Sequence, residues 1–318
     1  MAGKRSKELE SYYYSASGPS LDGCFFLGQR YVAAQGFKPH EGECWIIRNT
    51  VEDDEMFQTL HFGTTGWLTR LWRSDSGAVF ASSTTGSQVY YHPDPQGDEK
   101  RGFESVKLGA PPEGVWGLSD DFVLVWGATY EETNHLFRFD GKKWKEMKAP
   151  DFDVRAIHGI APDLLYAVGV GGGVARWDGR TWKRFPVPTD EVLNSVFVAG
   201  PDEIYATGNA GTLLEGSAHG WGKIGESPVS GMPLLAVARW KKDLWVAGGQ
   251  FGLFKRVGTQ NKLKCVKPNL RAVDLDVRGN LLISCEDVIV ETADGKAYTG
   301  FDSDPVLEMR AGNALGEF

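Results

Sequence analysis

Histidines, glycine-rich turns and serines are the first residues to test for chemistry in this sequence, because their spacing distinguishes the common catalytic motifs. The six histidines are isolated, and the chain contains no H-x-x-x-H, H-E-x-x-H or G-x-S-x-G arrangement. Those spacings would pair metal ligands or expose a nucleophilic serine. Gly171-Gly172-Gly173 lacks the lysine and hydroxyl residue of a phosphate-binding loop, so we interpret it as a turn.

Oxygen-bearing side chains offer a second kind of site, since calcium takes carboxylate and amide oxygens as ligands. The candidates are Asn194 with Asp274 and Asp276, or the pairs Asp151/Asp153 and Asp302/Asp304. None has the spacing of a dedicated calcium loop, and acidic turn residues are mostly solvated. We therefore predict no catalytic residue, no metal site and no cofactor.

Composition indicates an all-β protein. The 318 residues include 40 glycines and 11 tryptophans, with many β-branched residues, which is typical of short strands joined by tight turns. The net charge of −8 argues against binding to nucleic acid or to an anionic membrane, both of which need a basic surface. The charged N-terminal residues do not resemble a secretory signal, so we expect a cytoplasmic protein.

The four cysteines are scattered, with no C-x-x-C pair, and we expect reduced thiols packed in strands. A disulfide between Cys24 and Cys285 stays open as an alternative, if the two ends of the chain meet.

Two periodic signals define an internal repeat of about forty residues. Strand-ending glycines at 127, 169, 208 and 248 lie 42, 39 and 40 residues apart. An Asp-Gly-x-x-aromatic turn occurs at Asp140 and Asp178, 38 residues apart, with a fainter copy at Asp294. Asp-Gly between apolar runs favours a hairpin, because both residues tolerate positive φ. Each repeat accommodates four strands.

The repeat predicts a single closed β-propeller of about seven four-stranded blades, although six or eight are possible. Residues 1–10 are predicted to be a disordered tail, and residues 11–318 the propeller, with blades starting near 23, 68, 114, 154, 193, 234 and 270. Residues 306–312, residues 11–16, or both would close the ring. A β-sandwich or an open solenoid is the alternative that short strands alone leave open.

The repeat pattern W-G…D-x-(Y/W)-A-V-G…G-x-(aromatic)-D-G-x-x-W resembles bacterial propeller repeats of the BNR-like and photosystem-assembly-factor-like kind over residues 114–266. The Gly-His and Trp-Asp marks of WD repeats are missing at the repeat ends. The resemblance supports the fold and says little about activity. BNR-like sialidases use an arginine cluster, and inner-strand arginines occur here at Arg70, Arg73, Arg155, Arg239, Arg271 and Arg310. The alternative is that these arginines pair with acids of neighbouring blades, such as Asp274 and Glu308.

Propeller geometry assigns the loops between blades, and those between second and third strands, to one face. That face carries about twelve acids against about three lysines, together with apolar residues. Such a surface is suited to steering and anchoring a basic protein. The predicted partner-binding residues are Tyr130, Glu131, Glu132, Asp151, Phe152, Asp153, Asp190, Glu191, Phe251, Asp302 and Asp304.

We therefore expect a monomeric, non-catalytic protein-binding module, acting either as an immunity protein that neutralises a toxin or as an assembly scaffold. The alternative is a lactonase-like or sialidase-like propeller hydrolase that uses acids or arginines at the channel mouth, with or without calcium. An enzyme should bring polar groups together in the channel, whereas a binding module should have a plugged channel and a broad acidic rim.

Overall fold

The computed structural model describes residues 9–32, 42–53, 55–129, 131, 133–225, 227–256 and 262–301. These residues form seven four-stranded antiparallel sheets, and each sheet takes four consecutive strands of the chain. The prediction of an all-β fold with seven four-stranded blades is therefore confirmed. We number the sheets blade 1 to blade 7 along the chain.

The first four blades contain strands β1 to β16. Blade 1 consists of β1 (Leu9–Ser17), β2 (Phe25–Val32), β3 (Glu43–Glu52) and β4 (Glu55–Thr65). Blade 2 consists of β5 (Leu68–Arg73), β6 (Val79–Ser83), β7 (Gln88–His92) and β8 (Glu104–Lys107). Blade 3 consists of β9 (Gly114–Ser119), β10 (Phe122–Ala128), β11 (Asn134–Phe139) and β12 (Trp144–Met147). Blade 4 consists of β13 (Val154–Ala161), β14 (Leu164–Gly169), β15 (Gly173–Trp177) and β16 (Trp182–Arg184).

The last three blades contain strands β17 to β28. Blade 5 consists of β17 (Leu193–Gly200), β18 (Glu203–Gly208), β19 (Leu213–Ser217) and β20 (Gly220–Lys223). Blade 6 consists of β21 (Ala236–Trp240), β22 (Asp243–Ala247), β23 (Leu253–Arg256) and β24 (Leu263–Lys267). Blade 7 consists of β25 (Ala272–Val277), β26 (Leu281–Cys285), β27 (Ile289–Thr292) and β28 (Thr299–Phe301).

The blades form a closed ring around their first strands. Each first strand contacts the first strand of the next blade, and β1 contacts both β5 and β25. In the described part of the chain, seven hydrophobic clusters fill the gaps between neighbouring sheets. One of them packs Tyr13 and Phe26 of blade 1 against Leu282 and Ile289 of blade 7, all of them buried. Removing this apolar surface from water is the main stabilising contribution to ring closure.

Polar contacts also join blade 1 to blade 7. The backbone N–H of Ala16 donates to Ser284 Oγ at 2.8 Å, and Ser17 Oγ donates to Asp276 Oδ2 at 2.9 Å. The N–H of Leu21 donates to Glu291 Oε2 at 2.7 Å. Residues 11–16 therefore take part in closure as a segment of the first strand of blade 1. Residues 306–312, the other predicted closing segment, lie outside the described residues.

The predicted start of blade 1 near residue 23 is wrong, because the blade begins with β1 at Leu9. Gly28 lies inside the single strand β2, Phe25–Val32. Gly28 pairs with Tyr13, and a Cβ added to it would lie 3.5 Å from the Tyr13 ring and 3.3 Å from Ile47. This glycine makes room for packing and does not end a strand.

Blades 2 to 7 begin close to the positions predicted near 68, 114, 154, 193, 234 and 270. Their first strands start at Leu68, Gly114, Val154, Leu193, Ala236 and Ala272.

The recurring strand-ending glycine allows a close approach between backbones. A Cβ on Gly169 would lie 1.8 Å from the carbonyl oxygen of Asp153, in the connection from the preceding blade. The same contact occurs between Gly127 and Pro111, at 2.0 Å, and between Gly208 and Val192, at 2.3 Å. In blades 3, 4 and 5 the connection between blades thus crosses the end of the second strand at a place where only glycine fits.

The recurring Asp-Gly turn joins the third and fourth strands of a blade. Asp178 Oδ1 accepts the backbone N–H groups of Arg180 and Thr181 at 2.9 and 2.8 Å, and Gly179 adopts φ +93°. Asp140 and Asp294 cap their own turns in the same way. Because these bonds favour the ionised carboxylate, the pKa of Asp140 is lowered to about 2, with the Lys143 N–H as the largest cause.

All four cysteines are free thiols, so Cys24 and Cys285 do not form a disulfide. Burial raises the pKa of Cys285 to about 12. A search of the described residues for a helix with the length and apolar character to cross a membrane finds none.

Candidate functional site

The antiparallel strand order places the loops of every blade at two opposite ends. Loops between first and second strands, and between third and fourth strands, lie on one face of the ring, which we call the turn face. Loops between second and third strands lie on the other face, together with the connections to the next blade. We call this second face the linker face. Its described loops include 66–67, 84–87, 108–113, 129, 131, 133, 148–153, 170–172, 185–192, 209–212, 224–225, 227–235, 248–252, 268–271 and 286–288.

The connection between blades 3 and 4 brings three predicted site residues, Asp151, Phe152 and Asp153, to the linker face. Arg155, at the start of β13, bridges two carboxylates: its Nη2 lies 3.1 Å from Asp153 Oδ2, and its Nη1 lies 3.2 Å from Glu113 Oε2. Arg184, at the end of β16, lies 3.2 Å from Asp151 Oδ1. Arginine side chains of the strand ends therefore hold this acidic segment in place.

Phe152 was predicted to contact a partner, and its exposure contradicts that role. Its side chain is 6% exposed and packs in the core between blades 3 and 4. A Cβ on Gly173 would lie 2.4 Å from the Phe152 ring, so this glycine makes the seat for the phenyl group. Phe251 is half-buried and packs against the core between blades 5 and 6. Packing between blades uses both aromatic residues.

The remaining predicted residues are spread around the linker face. Glu131 and Asp190 are exposed, and Glu191 is half-buried, with its backbone oxygen accepting the N–H of Gly172 at 3.0 Å. Four further predicted residues, Tyr130, Glu132, Asp302 and Asp304, lie outside the described residues. The structure therefore brings Asp151 to Asp153 together with Glu113, while Asp190, Glu191 and Phe251 lie on connections of other blades.

A cavity of about 650 Å³ opens on the linker face between blades 2, 3 and 4. Its polar wall includes Thr84, Glu113, Asp151 and Asp153, and its apolar wall includes Trp67 and Phe152. Ligand pockets in proteins span roughly 300 to 1,000 Å³, so the cavity has the size of a binding site.

Glu113 and Asp153 are held close enough to influence each other. Burial raises the pKa of Glu113 above its ordinary value; the positive charge of Arg155 opposes the rise, and the negative charge of Asp153 adds to it. Two carboxylates share one guanidinium, so this corner of the cavity carries excess negative charge.

Sequence reasoning named Arg155 and Arg271 as inner-strand arginines but did not consider Arg184. It did not pair any of them with the linker-face acids, because it counted loop residues alone when it assigned that face. Besides Arg155 and Arg184, Arg271 lies 3.0 Å from Glu286 and 3.1 Å from Asp287, two further acids of the linker face. A local signal existed at one position. Asp153 and Arg155 are two apart in an extended segment, which places both side chains on the same side.

Aromatic rings occupy one side of the central channel, which holds a cavity of about 370 Å³. His158 lies between Trp116 and Phe197, with ring centroids 5.2 and 4.7 Å away. Its Nδ1 accepts the N–H of Val198 at 3.1 Å, and burial lowers its pKa to about 4. The histidine is therefore a neutral packing residue near pH 7.

Charged residues occupy the other side of the channel in paired form. Arg70 Nη2 donates to both oxygens of Asp274, at 2.8 and 2.9 Å, which confirms the predicted pairing of an inner-strand arginine with that acid. Arg278 lies 3.1 Å from Asp75 and 3.3 Å from Asp276. Each acid of this cluster thus has an arginine partner.

A sialidase-like site would need several inner-strand arginines side by side, and the structure directs them apart. Arg155 and Arg271 bind acids of the linker face, whereas Arg239 binds Glu203 at 2.9 Å and the carbonyl oxygen of Lys241. Arg310 lies outside the described residues. Of the proposed calcium ligands, Asn194 donates to the carbonyl oxygen of Leu234 between blades 5 and 6. Within the described ranges, no three His, Cys, Asp or Glu side chains cluster closely enough to hold a metal ion.

The ring of seven sheets defines the class of this protein: it is a seven-bladed β-propeller. No protein-family model matches the sequence. Among curated proteins, the Immune protein Tsi7 of Pseudomonas aeruginosa is 36% identical over 90 residues. The match covers 28% of this chain and 26% of that protein, so the chain spans about a quarter of the length of this relative.

Solved structures share the architecture over most of the chain. Virginiamycin B lyase from Staphylococcus aureus superposes with a TM-score of 0.63 at 13% identity, covering 87% of this chain and 96% of the lyase. YCF48 bound to D1 peptide superposes with a TM-score of 0.59 at 13% identity, covering 93% and 95%. The WD40 propeller domain of Doa1 gives 0.66 at 10% identity, covering 92% and 97%. At these identities the likeness shows the fold alone, and it confirms the resemblance to assembly-factor-like propeller repeats.

Proposed function

We propose that this propeller is a non-catalytic protein-binding module whose linker face binds a basic protein. The observation that supports it most is the cavity between blades 2, 3 and 4, which is lined by three carboxylates on one face of a rigid ring. Interface charges of this kind act mainly on the association rate and on the choice of partner. The exposed acids Glu131 and Asp190 extend the negative surface beyond the cavity.

Neutralisation of a toxin is the specific role that we propose. The partial match to a protein named as an immune protein supports it, although it covers about a quarter of either chain. An immunity protein needs a preformed surface complementary to its toxin, and the sheet framework of a propeller can hold such a surface in place. The proposed complex forms in the cytoplasm between one propeller and one toxin molecule.

An assembly scaffold is the second candidate, and one observation favours it. The superposition with YCF48 covers 95% of that protein's chain, and YCF48 was solved bound to D1 peptide. A scaffold would use the same face to hold a segment of a client protein. The two roles differ in a growth test. Co-expression of this chain should restore growth to cells that express its toxin, whereas a scaffold should have no such effect.

Charge reversal tests the assignment of the face. The variant replaces Glu131, Asp151 and Asp153 by lysine and is compared with a matched control on the turn face, Asp75, Asp163 and Asp202 to lysine. Both triple variants change the net charge by the same amount. The partner comes from affinity capture in the source organism, together with the protein encoded by the neighbouring reading frame.

The linker-face variant should associate roughly tenfold or more slowly at low salt, and its association rate should depend less on salt concentration. The turn-face control should keep most of the original rate. Stopped-flow measurement over a range of salt concentrations separates the two. Equal rates for both variants would contradict the assignment of the linker face.

A further inference from the structure

We infer that the cavity between blades 2, 3 and 4 is a pocket for an arginine side chain of the partner. The inference rests on the proposed function and specifies the group that the linker face recognises. It follows from the charge of the cavity, its unpaired polar atoms and its apolar wall.

Charge is the first reason. The cavity wall contains the carboxylates of Glu113, Asp151 and Asp153, and the two arginines that face them are Arg155 and Arg184. The carboxylates outnumber the arginines by one. Glu113 and Asp153 are each only about one-third exposed, at 30% and 33%, so water screens the excess charge less than it does at an open surface. An incoming cation is therefore favoured, and an incoming anion is repelled.

Unpaired polar atoms are the second reason. Asp153 Oδ2 binds Arg155, but Asp153 Oδ1 is buried and accepts no hydrogen bond from the described residues. Thr84 Oγ1, from the neighbouring blade, is also buried without a partner in that part of the chain. Both residues line the cavity. Buried polar atoms that stay unpaired destabilise a protein, so turning either side chain towards a ligand that donates hydrogen bonds would relieve that cost.

The apolar wall is the third reason, and it favours arginine over lysine. Trp67 is half-buried and lines the cavity together with Pro111. A guanidinium stacks on aromatic rings and carries five N–H donors with no acceptor. It can bind a carboxylate with two parallel bonds while its aliphatic stem covers apolar surface. An ammonium group is a more strongly hydrated point charge and gains less from such a wall.

A peptide titration on the full chain tests the pocket without the partner. The probe is acetyl-Gly-Arg-Gly-amide, and the matched peptides carry citrulline or lysine in place of arginine. Citrulline has nearly the same shape as arginine but no charge. Labelled methyl groups of Ala128, Thr84 and Thr129, which line the cavity, report binding by NMR.

We expect the arginine peptide to shift these methyl resonances, and the citrulline and lysine peptides to bind on the order of tenfold more weakly. Asp153→Asn and Thr84→Val should each weaken binding of the arginine peptide. Asp75→Asn, a carboxylate substitution on the turn face, should leave it unchanged. Resonances outside the cavity serve as the check that each variant is folded.

Three outcomes would overturn the inference: equal binding of the citrulline peptide, equal or tighter binding of the lysine peptide, and no shift at the cavity methyl groups. The titration needs no partner, so its failure and that of the proposed function can be told apart. If the pocket ignores arginine while charge reversal still slows the partner, only the pocket is wrong. If the peptide binds but charge reversal has no effect, the proposed partner-binding face is wrong.

Discussion

Carboxylates have different partners on the two faces of the ring. On the turn face, Asp140, Asp178 and Asp294 accept N–H groups from residues two and three positions later in the same turn. On the linker face, Glu113 and Asp153 both accept hydrogen bonds from the guanidinium of Arg155. Glu113 lies 42 residues before that arginine in the sequence. These three turn-face acids are fixed by local backbone, whereas Glu113 and Asp153 are held by the side chain of another strand.

The largest expected effect on stability comes from filling the space at Gly169, where the connection between blades passes close to the second strand. In Gly169→Ala, the new Cβ would meet the carbonyl oxygen of Asp153 at 1.8 Å. We expect the free energy of unfolding to fall by more than about 3 kcal/mol, because backbone must move to relieve the overlap. Urea denaturation measures it.

Gly222→Ala is the matched control for that substitution, because an added Cβ meets nothing within 4 Å at this position in β20. It should change the free energy of unfolding by less than about 0.5 kcal/mol. Equal losses in the two variants would show that close approach is not the reason for the recurring glycine.

A second effect is a loss on the order of 3 kcal/mol in the free energy of unfolding at acidic pH, caused by His158 in the channel wall. Burial lowers the pKa of His158 to about 4, below its ordinary value near 6.5. Between these pH values His158 binds more protons in the unfolded chain than in the folded chain. The free energy of unfolding therefore has its full value above pH 6.5 and falls as the pH decreases towards 4. Denaturation at pH 7 and pH 4.5 measures the loss.

His158→Phe should remove part of this pH dependence, whatever its effect on stability at pH 7. His61, whose pKa is also lowered to about 4, mainly by burial, contributes to the part that stays. An unchanged pH dependence in the variant would show that folding does not lower the pKa of His158.

The smallest effect is the most direct comparison of the two faces. The pKa of Asp140 should be near 2, lowered mainly by the N–H of Lys143, whereas the pKa of Glu113 should be above its ordinary value because of burial. An NMR titration of the two carboxyl carbons measures both in one sample. Shifts in the same direction would contradict the distinction between turn-face and linker-face acids.

Local sequence signals predicted much of the fold, because the propeller repeats local structure. The close backbone contact needs a glycine, and the tight turn between third and fourth strands favours Asp-Gly. Both signals therefore recur at the blade spacing. Blade 1 lacks these marks, and Gly28 looks like a strand end until Tyr13 is seen packed against it. That contact joins two strands, and no single-strand pattern contains it.

The candidate site was less predictable, because its contacts cross between blades. The sequence pointed to Asp151 and Asp153, but the pairing of Arg155 with Glu113 and of Arg184 with Asp151 depends on which connections lie side by side. Phe152 is an aromatic residue in an acidic loop, which is typical of an exposed anchor. It is nevertheless a core residue, because Gly173 has no side chain and leaves room for its ring. Loop composition alone cannot separate these roles.

The contiguity of the blades has a consequence for the order of folding. Each sheet takes its four strands from one stretch of chain, so individual blades can form through short loops and local contacts. The bond from Leu21 to Glu291 joins residues 270 positions apart. Closing so long a loop costs on the order of 2 kcal/mol more chain entropy than closing one repeat. We therefore expect joining of blades 1 and 7 to be the late, slow step of folding, and this junction to exchange its amide hydrogens before the rest of the ring.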